Sequence, residues 1–451
     1  MKNENNDSRI YTLESEKPSK AVLKMGIPVA MGMMFMVFYN LVDTYFIGRL
    51  HNDYQLSAVN LSYPIMMIMV AIAGITGNGA ASYMARCMGA KKTEEAEHTL
   101  TIGFELIAIS AFIITALGLI FINPIVDILG ASELSFQYTK DYTQVIFIGS
   151  IFTMGNYAIG QLLRSEGSAF YSMIGMIAGT LANIILDPIF IFALGMEIKG
   201  AAIATILGNA IGMGIFIFYY CTGKTILKPR LNLCKFNAKI FGEIMLVGIP
   251  HTLEQLLTTA AMVVNNNLAS KYSDIYVAAM GIANKIMSFG NYTYQGLAAG
   301  CQPLMGYNYG AKNHIRLKQL IKSAVAVTTA IEVGILAIFG IFATQLISIF
   351  SKTPEVITIG TMTLRAFMLI LPFVGTVAIV RNTFNAIGKP GFAFGITIVR
   401  QLVLYIPFLI IFEKLWGYTG LIYAQPVEEF ICSVFAMLLL FAFLKRERNR
   451  L

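Results

Sequence analysis

The most regular feature of this chain is the alternation of long apolar runs with short polar connections. Six apolar runs lie at about 21–48, 54–79, 97–122, 138–161, 168–193 and 200–221, and six more at about 240–269, 275–306, 315–343, 355–383, 390–413 and 417–444. Each run is long enough to cross a bilayer as a helix, which takes about 20 predominantly apolar residues. The pattern predicts an all-α polytopic membrane protein with twelve transmembrane helices, numbered α1 to α12 in chain order.

Composition excludes most other classes of protein. Of the 451 residues, 56% are hydrophobic and 13% are charged, whereas about a quarter of a soluble domain is charged. A soluble enzyme, a disordered chain and a secreted disulfide scaffold are therefore excluded as the whole molecule. The sequence lacks the phosphate-binding loop, the zinc-protease motif and the nucleophile elbow. We expect neither enzymatic activity nor a cofactor.

The basic residues predict the orientation in the membrane. The N-terminus, the even-numbered loops and the C-terminus together carry 24 Lys and Arg, whereas the six odd-numbered loops carry one each. Under the positive-inside rule this places both termini in the cytoplasm. The net charge of +8 is then a topology signal and an attraction to anionic lipid, so we expect the lipid bilayer, and no nucleic acid, as a partner.

The chain repeats itself about halfway along. Gly26-Ile27-Pro28 recurs 222 residues later as Gly248-Ile249-Pro250, and Gly89-Ala90-Lys91 recurs 221 residues later as Gly310-Ala311-Lys312. Six helices is an even number, so two such halves would be related by a pseudo-two-fold axis along the membrane normal, as in some transporters. The predicted organisation is a cytoplasmic tail (1–19), an N-lobe (20–222), a cytoplasmic linker (223–239), a C-lobe (240–444) and a second cytoplasmic tail (445–451).

Two carboxylates inside the N-lobe helices stand out, because a charge within a span is costly unless it is paired or hydrated. Asp43 shares a face of α1 with Tyr39, Asp187 shares a face of α5 with Asn183, and Thr205 shares a face of α6 with Asn209, since each pair is four residues apart. The predicted orientation puts Asp43, Asp187 and Thr205 at a similar depth. Such a group can bind a proton or a small cation. The alternative is that Asp187 caps a helix end while Asp43 bonds to nearby backbone.

The C-lobe has a different set of intramembrane charges. Asn265 replaces Asp43 at the repeat offset, and the counterpart of the Asp187 region, Leu404 to Phe408, has no acid. His251, Glu254 and Lys285 form a separate polar group on α7 and α8, with a Glu254–Lys285 ion pair expected if the helices face each other. Structural hydrogen bonds or ion pairs are the favoured interpretation for six others: Glu105, Glu332, Arg365, Arg400, Glu428 and Glu429. Pro28 predicts a kink in α1, because an interior proline removes a helical hydrogen bond.

Several motifs together resemble those of the multidrug and toxin extrusion (MATE) family, in particular its MepA-like bacterial branch. They are Val42-Asp43-Thr44-Tyr45-Phe46-Ile47-Gly48, Arg86-Cys87-Met88-Gly89-Ala90, Asn183-Ile184-Ile185-Leu186-Asp187-Pro188 and Gly200-Ala201-Ala202-Ile203-Ala204-Thr205. The resemblance covers about residues 15 to 445. It implies a twelve-helix fold and a cation-coupling site at Asp43, Asn183, Asp187 and Thr205.

The resemblance also implies a function. It predicts a multi-pass protein of the bacterial plasma membrane, expected to be a monomer, that exports hydrophobic, cationic small-molecule drugs in exchange for protons or sodium ions. Candidate substrate or gating residues are Pro28, Tyr39, Asn209, Glu254 and Lys285. Some relatives use acids in α7 and α10 instead; Glu254 lies near the first position, but α10 offers no acid near 373–378. A lipid-linked precursor flippase or a dedicated metabolite exporter of the same superfamily is the alternative.

Overall fold

Helices account for nearly all of the chain in the computed structural model, which describes residues 2–49, 52–223, 225–230, 236–269 and 271–448. The side chains of residues 2–7, 39–41, 43–45, 48, 53, 266, 274 and 448 lie outside the described part. The helices are α1 Pro18–Gly48, α2 Asp53–Gly89, α3 Thr93–Ile120, α4 Glu133–Ile148 with Ser150–Ser165, α5 Ala169–Pro188 with Ile189–Ala193, α6 Glu197–Cys221, α7 Ala238–Ala269, α8 Asp274–Gly310, α9 His314–Ile341, α10 Pro354–Met368 with Leu371–Ala386, α11 Pro390–Ile398 with Val399–Tyr405 and the first part of Ile406–Arg448, and α12 the rest of that stretch. The predicted twelve-helix fold is confirmed.

Three short helices and one sharp turn complete the fold. Lys2–Glu14 precedes α1, Ile122–Ile128 follows α3, and Ala343–Phe350 follows α9. The turn between α11 and α12 is at Gly417, whose φ of 60° and ψ of −140° interrupt the helix. Residues with a Cβ rarely adopt a positive φ, so glycine suits this position.

Length and apolar composition alone identify fewer crossings than twelve. Among the described residues, seven helices are long and apolar enough to cross a membrane, or up to nine if each of two bent pairs is one crossing. The pairs are the halves of α4 and of α10, bent by 52° and 42°. The stretch Pro390–Glu447 passes as one span but holds two helices divided at Gly417. The more polar helices α7 and α8, with residues such as Glu254 and Lys285, complete the set.

The internal repeat appears in the helix bounds. Corresponding helices begin and end 221 residues apart in three cases: α2 with α8, α3 with α9, and Ser150–Ser165 with Leu371–Ala386. The motifs that revealed the repeat therefore belong to two similarly built halves. A residue of one half can be compared with its counterpart in the other.

Residue contacts divide the chain into two units that differ from the predicted lobes at two stretches. The N-unit comprises Met1–Ser15 and Met31–Ile249, and the C-unit comprises Glu16–Ala30 and Pro250–Leu451. The first part of α1 thus packs with the C-unit, and the first part of α7 with the N-unit. The divisions fall just after Pro28 and at Pro250, the repeated prolines. The lobe boundaries at 20–222 and 240–444 stay predictions.

Close backbone contacts pack the first part of α1 against the C-unit and the first part of α7 against the N-unit. A Cβ on Gly248 of α7 would lie 2.0 Å from the carbonyl oxygen of Ile75, and one on Gly79 would lie 2.2 Å from that of Ile244. In the C-unit, a Cβ on Gly300 would lie 2.4 Å from the Met25 carbonyl oxygen. Only glycine allows helices to approach this closely. Gly79 and Gly300 are counterparts in the repeat, so both units contain the same kind of close glycine–backbone contact.

Candidate functional site

Glycines bring α5 and α6 together in the N-unit. A Cβ on Gly208 of α6 would lie 2.7 Å from the carbonyl oxygen of Gly179 and 2.9 Å from the Cβ of Asn183. A Cβ on Gly212 would lie 3.0 Å from the Gly175 carbonyl oxygen. Small residues spaced by four on both helices permit this approach. The contact brings the polar side chains of α5 close to those of α6.

Asn183, Asp187 and Thr205 form a buried polar group beside this contact. Asp187 has no exposed surface, and Asn183 and Thr205 are 3% and 5% exposed. The Asn183 amide donates hydrogen bonds of 3.4 Å to Asp187 Oδ1 and to Thr205 Oγ1. The opposite amide orientation donates to Asp187 Oδ2 at 3.3 Å and accepts from the Thr205 N–H at 3.1 Å. Either way, Asn183 links the carboxylate on α5 to α6.

The two other predicted members of this group cannot be placed relative to it. Asp43 and Tyr39 belong to α1, whose helical backbone spans them. Their side chains lie outside the described residues, so their proximity to Asp187 stays a prediction.

Asn209 extends the polar path by one turn of α6. Its Oδ1 accepts a 2.9 Å hydrogen bond from the Asn156 amide, and its own amide donates to Thr153 Oγ1 at 3.4 Å. Asn156 and Thr153 lie on the second part of α4. The sequence interpretation missed both residues, although an asparagine within an apolar run was a signal for them.

The predicted ion pair between Glu254 and Lys285 is wrong, because Glu254 has a different partner. Glu254 is 1% exposed, and its carboxylate pairs with Arg381 Nε of α10 at 3.3 Å, with His251 Nδ1 3.9 Å away. Lys285 is exposed on α8. A buried charge needs an opposite charge, and α10 supplies it. The missed signal was Arg381 itself, which lies inside the tenth helix rather than in a loop.

A second buried ion pair joins α11 to α12. Arg400 pairs closely with Glu429, and its Nε lies 4.0 Å from Glu428 Oε1. All three residues are buried. The structural ion pairing predicted for these residues is confirmed. Glu332 of α9 is assigned to the same class from the sequence, but that assignment is wrong: among the described residues it has no hydrogen-bond or ion-pair partner.

The N-unit group has the chemistry of a cation site. It offers a buried carboxylate, an amide and a hydroxyl at the same level of two helices, and a carboxylate there must be neutralised by a proton, a cation or a partner. Among the described residues, no three His, Cys, Asp or Glu side chains are grouped so as to hold a metal ion.

Known proteins resemble this chain over almost its whole length. The MatE family model matches residues 28–189 and 250–411, one segment in each half of the repeat. The multidrug export protein MepA of Staphylococcus haemolyticus (strain JCSC1435) is 29% identical over 445 residues, which cover 99% of this chain and 97% of that protein.

Solved structures agree with the family match. A crystal structure of MATE in complex with MaL6 superposes with a TM-score of 0.93 at 27% identity, covering 98% of this chain and 99% of that one. The outward-facing conformation of a multidrug resistance MATE family transporter of the MOP superfamily superposes with a TM-score of 0.93 at 26% identity, covering 97% of this chain and 98% of that one. With both halves of its repeat matched, the chain belongs to the MatE family of membrane transporters.

Proposed function

We propose that this protein is a secondary active exporter of hydrophobic, cationic small molecules, driven by a proton or sodium gradient across the bacterial plasma membrane. The observation that carries the proposal is the buried group of Asp187, Asn183 and Thr205. A carboxylate buried within a membrane span is a functional-site candidate by default. The MatE match and the relative named a multidrug export protein support the export of drugs.

Cation coupling is assigned to Asp43, Asn183, Asp187 and Thr205. Asn183 donates a hydrogen bond to Asp187, and Thr205 supplies a further oxygen. A proton needs only the carboxylate, whereas a sodium ion, like other hard cations, takes several oxygen ligands. Sodium binding would therefore require Asp43 to join the group.

Substrate handling and gating are assigned to Pro28, Tyr39, Asn209, Glu254 and Lys285. Asn209 lies one turn from Thr205 and is bonded to Asn156 and Thr153, so substrate near it can influence the coupling group. Glu254 acts with Arg381 as a charge pair in the C-unit. Lys285 is available to solvent or lipid headgroups. Both termini face the cytoplasm, and the protein acts as a monomer.

Transport by the purified protein in proteoliposomes tests this function. Ethidium movement is followed under an imposed proton gradient, an imposed sodium gradient or neither. Drug movement only with one gradient supports exchange and identifies the ion. Movement that persists without any gradient contradicts secondary transport. Movement of a lipid-linked precursor but not of ethidium would favour the flippase alternative.

A further inference from the structure

Glu332 is a buried carboxyl group that none of the assignments above uses. It lies in α9 with no exposed surface. Neither carboxyl oxygen has a hydrogen-bond partner, and no ion pair involves it among the described residues. An ionised carboxylate buried without a partner is very costly, so such a group is expected to hold a proton.

A notch between three helices of the C-unit accommodates this carboxyl group. A Cβ on Gly290 of α8 would lie 3.5 Å from Glu332 Oε2, and one on Gly375 of α10 would lie 3.8 Å from Glu332 Cγ. Thr328, one turn earlier in α9, is also buried, and its hydroxyl has no hydrogen-bond partner among the described residues. The atoms nearest to the two glycine positions are Leu371 Cδ2, at 2.5 Å from a Cβ on Gly290, and Thr328 Cγ2, at 2.6 Å from a Cβ on Gly375, so the glycines make room for Leu371 and Thr328, and Glu332 lies beside them.

The N-unit fills the corresponding place with apolar atoms. At the offset of 221 shared by these helices, Glu332 corresponds to Ala111, Gly290 to Met69 and Gly375 to Met154. Ala111, Met69 and Met154 are all buried. Relative to the N-unit, the C-unit therefore has an acid in place of one alanine and glycines in place of two methionines. The acid of the C-unit thus has no counterpart at the corresponding position of the N-unit.

We propose that Glu332 binds and releases one proton at a second ionisable site, inside the C-unit and separate from the Asp187 group. The proposal deepens the proposed transport function and rests on it, because proton exchange here matters only if the C-unit rearranges during transport. The proton forms an O–H bond with a carboxyl oxygen while the notch is closed. It leaves to water when the site becomes hydrated, and the charged form is then solvated.

A proton suits this notch better than a larger cation. A metal ion such as sodium takes several oxygen ligands, whereas the positions found beside Glu332 are Gly290 and Gly375, together with the side chains of Leu371 and Thr328 that pack against these glycines. A drug-sized cation needs a cavity of a few hundred Å³, and side chains enclose the carboxyl group completely. The ligand is therefore the proton.

Other charged groups on the helices packed against α9 are engaged elsewhere or lie outside the notch. Arg381 of α10 pairs with Glu254, and Arg365 of α10 donates to the Gly340 carbonyl oxygen. Glu355 of α10 and Lys285 of α8 are exposed. Tyr294 of α8 lies close enough to Glu332, Arg381, Arg400 and Glu429 to be influenced by their charges.

Infrared difference spectroscopy of the ligand-free protein tests the proposal. Spectra of the purified, reconstituted full-length protein are recorded from mildly acidic to alkaline pH for wild type, Glu332→Gln and Glu332→Asp. Proton release into weak buffer is counted in parallel. We expect Glu332→Gln to lose one protonated-carboxyl band and one titrating proton per monomer, and Glu332→Asp to keep the titrating proton and show the band at a shifted frequency. Asp187→Asn should remove a different band.

A wild-type spectrum that Glu332→Gln leaves unchanged, with the same proton count, overturns the proposal. If Glu332→Gln does not fold, a Glu332→Asp protein in which the band fails to move relative to wild type also overturns it. No drug is present, so this result is independent of the export assay. Absence of ethidium transport by wild type would reject the proposed function, while the titration would still decide whether Glu332 exchanges a proton.

Discussion

At the scale of single residues, the buried carboxylates divide into those with partners and those without. Glu254 and Glu429 each pair with an arginine, and Asp187 is hydrogen-bonded by Asn183. The sequence predicted the Asn183–Asp187–Thr205 group, because a four-residue spacing puts Asn183 and Asp187 on one face of α5 and the predicted orientation puts Thr205 of α6 at a similar depth. It failed for the partner of Glu254, because helical periodicity does not say which helix faces which.

The first prediction concerns Asp187. Asp187→Asn keeps the shape of the side chain but removes the charge, so gradient-driven ethidium transport should be abolished while the protein stays folded. Asn183→Ala removes only hydrogen bonds, worth about 1 kcal/mol each, and should slow transport several-fold. The control is Asp141→Asn, which breaks the surface ion pair with Lys199 and should transport normally. Normal transport by a well-folded Asp187→Asn protein would reject the coupling site.

The second prediction concerns pH and Glu166, in the connection between α4 and α5. Glu166 is fully buried, and burial raises its pKa to about 7, although the Leu227 N–H and Arg9 oppose the shift. The unfolded chain has a pKa of about 4.3. The contribution of Glu166 to stability is thus fully present below about pH 4.3 and is lost as the pH rises through about 7.

Thermal unfolding measured across this pH range checks the sign. Glu166→Gln mimics the protonated form, so its stability should fall less than that of wild type between about pH 5 and about pH 8. A shift of this size is worth a few kcal/mol at about 1.4 kcal/mol per pKa unit. The exposed Glu94→Gln serves as the control. Identical pH profiles for wild type and Glu166→Gln would show that Glu166 does not titrate in this range.

At the scale of helices, close packing and kinks position the residues that the sequence predicts. The glycines of α5 and α6 allow Asn183 to reach Thr205, and the prolines of α1 and α7 lie where each helix passes from one unit to the other. The sequence showed these prolines as a repeated motif. It did not show that the first part of α1 packs with the C-unit, because that depends on backbone contacts such as Gly300 with Met25.

The third prediction tests the contact between α5 and α6. Gly208→Ala places a Cβ 2.7 Å from the Gly179 carbonyl oxygen, so α5 must move away and Asn183 with it. We expect a loss of about 1–3 kcal/mol in the free energy of unfolding and a several-fold loss of transport. The matched control on the same helix is Gly214→Ala, whose Cβ meets nothing within 4 Å. Equal effects of the two substitutions would contradict the packing argument.

The fourth prediction tests the kink in α1. Pro28→Ala restores a helical hydrogen bond, so the free energy of unfolding should be unchanged or higher, whereas transport should fall several-fold. Pro250→Ala should act similarly in α7. Pro64→Ala is the control, because Pro64 is also inside a helix but far from either division between units. Wild-type transport by Pro28→Ala at saturating ethidium would count against a moving kink.

At the scale of the whole molecule, the two halves share a fold and differ in chemistry. The twelve apolar runs and the repeat offset predicted the architecture, because long spans and duplicated motifs are visible in one sequence. One difference in the acids was also visible, because the counterpart of the Asp187 region, Leu404 to Phe408, has no acid. The sequence did not show which helices face each other or how deeply a side chain is enclosed. These features decide that Arg381 neutralises Glu254, whereas the carboxyl group of Glu332 has no partner in the described part of the chain.

The measurement that tests the central claim most directly is ethidium transport in proteoliposomes, with wild type and Asp187→Asn compared under one imposed ion gradient. We predict that wild type moves ethidium against the direction of the driving ion and that collapse of the gradient stops it. Asp187→Asn should bind ethidium but show no gradient-driven movement. Equal gradient-driven transport by the two proteins, or wild-type transport that continues after every gradient has collapsed, would contradict the account.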